Sequence, residues 1–213
     1  MKHINVKYEK GICNMKVLGI TGGIGSGKST VMEILKNRYG AVVLLADDIG
    51  HTAMEKDTVT FRKMTEAFGK EILDADGNID RNILSGILMS SEEKLAIQNS
   101  IVHPYVIDKI NEAIAECKSN GIKLVAVESA ILYEAGCDVL CDEVWYVTAD
   151  MGVRVNRLIK DRGYTREKAY AFIQKQKPDE YFLARCSRVI YNNDDIENLS
   201  KQLRKCIEDW NAI

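Results

Sequence analysis

KVLGITGGIGSGKSTVMEILKNRY, residues 16–39, decides how the rest of the chain is read. Val17, Leu18 and Ile20 form a short apolar run of strand type, and Gly22, Gly27, Lys28 and Ser29 then fit the spacing G-x-x-x-x-G-K-[ST] without a gap. A phosphate chain needs several backbone N–H groups converging on it, and the glycines between 22 and 27 let the backbone turn sharply enough to supply them. Val31, Ile34 and Leu35 give the following helix an apolar face, and its first N–H groups and positive dipole end add to the anion site. Gly23, Gly25, Ser26, Gly27, Lys28, Ser29 and Thr30 are therefore expected to hold a nucleoside triphosphate. Lys28 would reach the β- and γ-phosphates, and the Ser29 hydroxyl would take one position on Mg²⁺. A glycine-rich turn that merely joins strand to helix is the alternative, and it leaves the complete motif unexplained.

Gly40 ends the first helical pattern, and residues 41–45 make a second apolar run closed by Asp47 and Asp48. Strand, helix, strand in this order implies a parallel sheet buried on both faces, with ligands beyond the carboxyl ends of its strands. Asp47 and Asp48 fall at that edge, so at least one carboxylate should face the γ-phosphate; helix capping alone would also explain an acidic pair. Further strands are read at 124–129, with Glu128 near the end as a support for the metal or its waters or as a cap, at 143–147 and at 188–191. The expected fold is α/β, a P-loop NTPase-type parallel sheet of about five strands flanked by helices. The last helix, 196–210, places Leu199, Leu203, Cys206 and Trp210 on one apolar face.

Between the second and third strands the pattern is helical, with stripes at Phe61, Met64 and Phe68 and at Ile107, Ile110 and Ile114. That block is too long for a simple crossover, so residues 57–121 are expected to form an inserted lobe between core segments 15–56 and 122–213. His103-Pro104 is expected to interrupt its helices. Residues 74–80 imitate a calcium loop, but the glycine comes early and Ser85 stands where a bidentate Glu belongs, so they read as a turn and helix start. Arg154, Arg157 and Arg162 lie on a helix and the loop beyond it, within a segment of about 152–185 expected to act as a short lid that stabilises charge and excludes water. Residues 1–14 read as an N-terminal tail, with Met15 as an alternative start.

The 213 residues carry a net charge of −2, which gives no global pull towards nucleic acid or an anionic membrane. No run of about 18 apolar residues is available to cross a membrane. Six cysteines without a C-x-x-C pair suit reduced thiols; Cys137 and Cys141 lack a second pair for a metal site. A cytoplasmic location is expected, as a monomer or weak homo-oligomer.

Beyond the phosphate loop, the chain resembles the dephospho-coenzyme A kinase family. The resemblance rests on residues 18–30, Ala46-Asp47, residues 76–81 (DGNIDR), Val102-His-Pro104, Ile131-Leu-Tyr-Glu134, the arginine segment, Gln176 and residues 189–193 (VIYNN), in family order. It implies transfer of the ATP γ-phosphoryl group to the ribose 3′-hydroxyl of dephospho-coenzyme A, the last step of coenzyme A biosynthesis. Asp47 would orient or deprotonate the hydroxyl, Lys28 and Mg²⁺ would hold the phosphates, and Arg157 and Arg162 would close over them. The lobe carrying His103 would receive the acceptor, with His51 and Glu128 as further substrate contacts. Two departures stand out: His51 occupies the place of a family arginine after Leu45-Ala-Asp47, and Ala130-Ile-Leu132 replaces a Pro-Leu-Leu step. A P-loop kinase for another nucleoside or nucleotide is the alternative. A GTPase-type module would need an Asn-Lys-x-Asp stretch, which is absent, and intact Lys28, Ser29 and Asp47 argue against a homologue that only binds ATP.

Overall fold

The structure, a computed structural model, describes residues 15–211; the tail expected at 1–14 lies outside them. The chain runs β1 (Lys16–Thr21), α1 (Lys28–Tyr39), β2 (Val42–Leu45), α2 (Ala46–Thr52), α3 (Val59–Phe68), α4 (Arg81–Met89), α5 (Glu92–Ser119), β3 (Leu124–Glu128), β4 (Glu143–Thr148), α6 (Met151–Arg162), α7 (Arg166–Gln174), α8 (Asp179–Leu183), β5 (Arg188–Tyr191) and α9 (Ile196–Asn211). The five strands form one wholly parallel sheet in the order β2-β3-β1-β4-β5, as the near-continuous apolar runs predict.

Alternation along each strand divides the core between the two faces. Leu18, Ile20, Ala126, Trp145, Val147 and Ile190 face one side, where α1 and α9 cover them with Val31, Leu35, Leu199 and Leu203. Val17, Val125, Val127 and Val144 face the other, covered by the helical block through Met64, Leu84, Val106 and Ile110. A satellite cluster of Val155, Leu158, Ala169 and Ile173 pairs α6 with α7 and draws in Ile24 of the glycine loop. The sheet thus buries both faces, and only its edges and strand ends meet solvent.

Local chemistry sets the helix starts. Thr58, Asp80, Ser91 and Thr165 each accept a hydrogen bond from a first-turn N–H of the helix that follows, which satisfies donors the helix leaves orphaned. Asp74 accepts from the N–H groups of Asp76 and Asn78, so residues 74–80 are a turn leading into the Asp80 cap. Gly40, in the left-handed region at φ 65°, closes α1 as its position suggests. The expected break at His103-Pro104 does not occur: α5 runs unbroken from Glu92 to Ser119 with Pro104 inside it. Pro104 and Ser100 are both exposed, so water can take the Ser100 carbonyl that loses its helical donor, while Val102, Val106 and Ile110 stay packed.

Candidate active site

Sheet register assembles the site. Glu128, the last residue of β3, pairs with Ile20 of β1 on one side and with Leu45 of β2 on the other. The glycine loop starts one residue beyond Thr21, and Asp47 stands two residues beyond Leu45, so Glu128 lies between the phosphate loop and Asp47 at one sheet edge. A cavity of about 810 Å³ opens there, lined by Gly23, Gly25, Gly27, Lys28, Ser29, Thr30, Asp47, Glu128, Arg157 and Arg162, among others. Ten of the residues expected from the sequence are thereby brought together.

Lys28 donates through Nζ to the Gly22 carbonyl at 2.9 Å and stands 3.4 Å from Glu128 Oε1, so its ammonium is fixed before any phosphate arrives. Burial raises the pKa of Glu128, opposed by Lys28 and reinforced by Asp47 and then Asp48. Asp47 itself is exposed in the first turn of α2. Ser26 is not among the residues lining the cavity: its side chain is buried and its hydroxyl has no hydrogen-bond partner, while its carbonyl accepts from Asn192 Nδ2 at 2.8 Å.

Arg154, Arg157 and Arg162 all lie on α6, with Arg162 its last residue and not in the loop beyond. Arg157 is turned onto the glycine loop: its NH1 donates to the carbonyls of Gly25 and Ser26, each at 3.3 Å, and NH2 to that of Asn192 at 2.9 Å. Arg154 is buried, with Nε donating to the Ile24 carbonyl at 2.9 Å and NH2 to Gln176 Oε1 at 3.0 Å. The same Gln176 oxygen accepts from the Ile24 N–H at 2.8 Å. A Cβ at Gly23 would collide with the Arg154 guanidinium, and one at Gly27 with Asn192 Nδ2, so two loop glycines answer to close tertiary neighbours. The bracing role of Arg154, Gln176 and Asn192 was not legible in the sequence; the i, i+3 spacing of Arg154 and Arg157 was the available signal.

His51 and His103 do not line this cavity. His51 stands one turn beyond Asp47 on α2 and lines a neighbouring groove. His103 is half-buried on α5, where desolvation holds its imidazole below the usual range against the opposing pull of Glu134. Burial pushes the thiols of Cys137 and Cys141 up to about 11 and about 12. No helix of the described residues is long and apolar enough to cross a membrane.

The family model described as dephospho-CoA kinase matches residues 16–198. The chain belongs to the dephospho-CoA kinase family. A dephospho-CoA kinase of Dehalococcoides mccartyi is 39% identical over 194 residues, 91% of this chain and 95% of the relative. One from Carboxydothermus hydrogenoformans is 36% identical over 92% of this chain and 95% of its own length. Among solved structures, the protein TT1252 of Thermus thermophilus superposes with a TM-score of 0.79 at 28% identity, over 92% of this chain and 98% of that one. The dephospho-CoA kinase match spans the phosphate loop, Asp47, Glu128, α6 and Asn192, so the whole cavity lies within it.

Proposed function

We propose that this chain transfers the γ-phosphoryl group of ATP to the ribose 3′-hydroxyl of dephospho-CoA, the last step of coenzyme A biosynthesis. The observation that carries the proposal is the single cavity in which Lys28, Ser29, Asp47, Glu128, Arg157 and Arg162 meet, in a member of this family. The loop N–H groups and α1 cradle the triphosphate. Lys28, held by Gly22 and Glu128, presents its charge to the transferring group. Asp47 receives the proton of the attacking hydroxyl as the O3′–P bond forms and the bond from Pγ to the β,γ-bridging oxygen of ADP breaks; solvent then takes the proton. Arg162 and Arg157 stabilise charge on the departing phosphates, and segment 152–185 closes as a lid. Residues 57–121 form the acceptor lobe and carry His103, while His51 on α2 contacts the acceptor from the core.

The donor set suits Mg²⁺: a serine hydroxyl and carboxylates line a cavity meant for phosphates, and this ion keeps waters and binds through few protein oxygens. Ser29 would hold it directly, with Glu128 supporting its waters, and the ion would neutralise phosphate charge during transfer.

The test is ADP release with ATP, Mg²⁺ and dephospho-CoA, with the product identified by mass. Product at the mass of coenzyme A is expected. ATP binding without that product would point to another nucleoside or nucleotide acceptor.

A further inference from the structure

Sheet register places Tyr146 of β4 directly beside Thr21, the residue of β1 from which the glycine loop departs. A tyrosine buried there needs a partner for its hydroxyl, and it finds one outside the sheet. Tyr146 Oη donates to Asp179 Oδ1 at 2.7 Å, and the Thr148 hydroxyl, on the same face of β4, donates to Asp179 Oδ2 at 3.4 Å. The Tyr146 ring stacks on Phe182, with centroids 4.7 Å apart and planes within 6° of parallel. Asp179 and Phe182 stand at i and i+3 on α8, so Tyr146 grips one face of that helix through a charge-assisted hydrogen bond and a ring contact. Burial pushes the Tyr146 phenol up to about 12, which keeps it a donor across the neutral range.

The start of α8 lies close along the chain to a residue that holds the glycine loop. Gln176 stands three positions before Asp179, with Pro178 between them at φ −69°. Lys177, as the residue before a proline, is confined to extended backbone, so the link has little slack. Gln176 Oε1 accepts from the Ile24 N–H at 2.8 Å and from Arg154 NH2 at 3.0 Å. The hydroxyls of Thr21 and Ser26 are buried without a hydrogen-bond partner, so neither anchors the loop from within. Ile24 is held from outside the loop, and the seat of α8 decides where Gln176 meets it.

We propose that Tyr146 is a positioning residue for ATP: by fixing α8 to the end of β4 through Asp179, its hydroxyl sets Gln176 against Ile24 and keeps the glycine loop in the shape that receives the triphosphate. The assignment rests on the loop binding ATP, as argued above, and not on which acceptor takes the phosphoryl group. A loop ordered in advance loses less entropy when the ligand arrives, so the hydroxyl strengthens ATP binding without touching a reacting atom.

Tyr146→Phe tests this, since it keeps the ring that stacks on Phe182 and removes only the hydroxyl. Calorimetric titration with ATP and Mg²⁺, without acceptor, should give a Kd raised about threefold or more. Asp179→Ala, at an exposed position, breaks the same bond from its other end and should weaken ATP to a similar extent, with the double variant no weaker than either single one. In a Gln176→Ala background, Tyr146→Phe should change the Kd by less than about 1.5-fold. In the steady state KM for ATP should rise with the Kd, while kcat and KM for dephospho-CoA stay within about twofold of the parent. Thermal melting checks the fold, and if Tyr146→Phe melts far below the parent, Asp179→Ala with and without Gln176 decides the matter. An unaltered Kd in Asp179→Ala and in folded Tyr146→Phe overturns the assignment. So does a loss that persists in full without Gln176, since the hydroxyl would then act by another route. A parent that binds ATP and makes no coenzyme A overturns the proposed acceptor and leaves the titrations to decide on Tyr146; a parent that binds no ATP overturns both.

Discussion

Lys28 Nζ stands 3.4 Å from Glu128 Oε1, joining the phosphate loop after β1 to the end of β3 across the strand pairing that brings them together. Burial is the largest influence on Glu128 and raises its pKa, so the folded protein holds this proton to higher pH than the unfolded chain does. Stability should therefore fall as pH rises from the unfolded carboxylate value through the folded one. Glu128→Gln removes that dependence. Its melting temperature relative to the parent should climb as pH rises above the unfolded carboxylate value of about 4; a difference that stays constant with pH would refute the linkage.

Asp47 is exposed at the cavity and makes no ion pair with Lys28, which pairs with Glu128 instead. Asp47→Asn should consequently leave ATP affinity near normal and lower turnover by roughly 10²-fold or more, the scale of a positioned general base. Nucleotide binding by calorimetry and steady-state rates separate the two effects. Loss of ATP binding would make Asp47 a support of the nucleotide instead.

Gly27 precedes α1 at φ 94°, where an L side chain is strained, and Asn192 closes the space a Cβ would need. Gly27→Ala should cost about 1–3 kcal/mol from the backbone alone. ATP affinity should drop roughly tenfold or more, as strain of that size converts. Adding Asn192→Ala removes the collision but not the backbone strain, so affinity should recover only in part. Full recovery in the double variant would show that the collision was the whole effect.

Arg154 holds the loop through Ile24 and Gln176 while almost wholly buried, and desolvation lowers its pKa. Arg154→Met leaves the Ile24 carbonyl without this donor and should cost about 1–3 kcal/mol in urea unfolding, with a raised KM for ATP. Arg154→Lys should recover less than half of either loss, because an ammonium lacks the planar fork that reaches both oxygens. An unaltered KM in both variants would reduce Arg154 to a packing residue.

The sequence by itself determined what depends on neighbours along the chain. The glycine spacing and the apolar runs located the phosphate loop, five strands and Asp47 at a strand end, because turn geometry and alternation act over a few residues. Asp80 could be read as a helix start for the same reason. Tertiary structure alone decided which arginine is buried: Arg154 and Arg157 differ little in sequence context, yet packing of α6 on the glycine loop places both against its carbonyls. It also decided that α5 passes through Pro104, since exposure of Ser100 and burial of Val102 and Val106 outweigh one lost backbone bond. Glu128 and Lys28 are a hundred positions apart, and only the pairing of β1 with β3 brings a buried carboxylate to the lysine, where desolvation and the opposite charge compete.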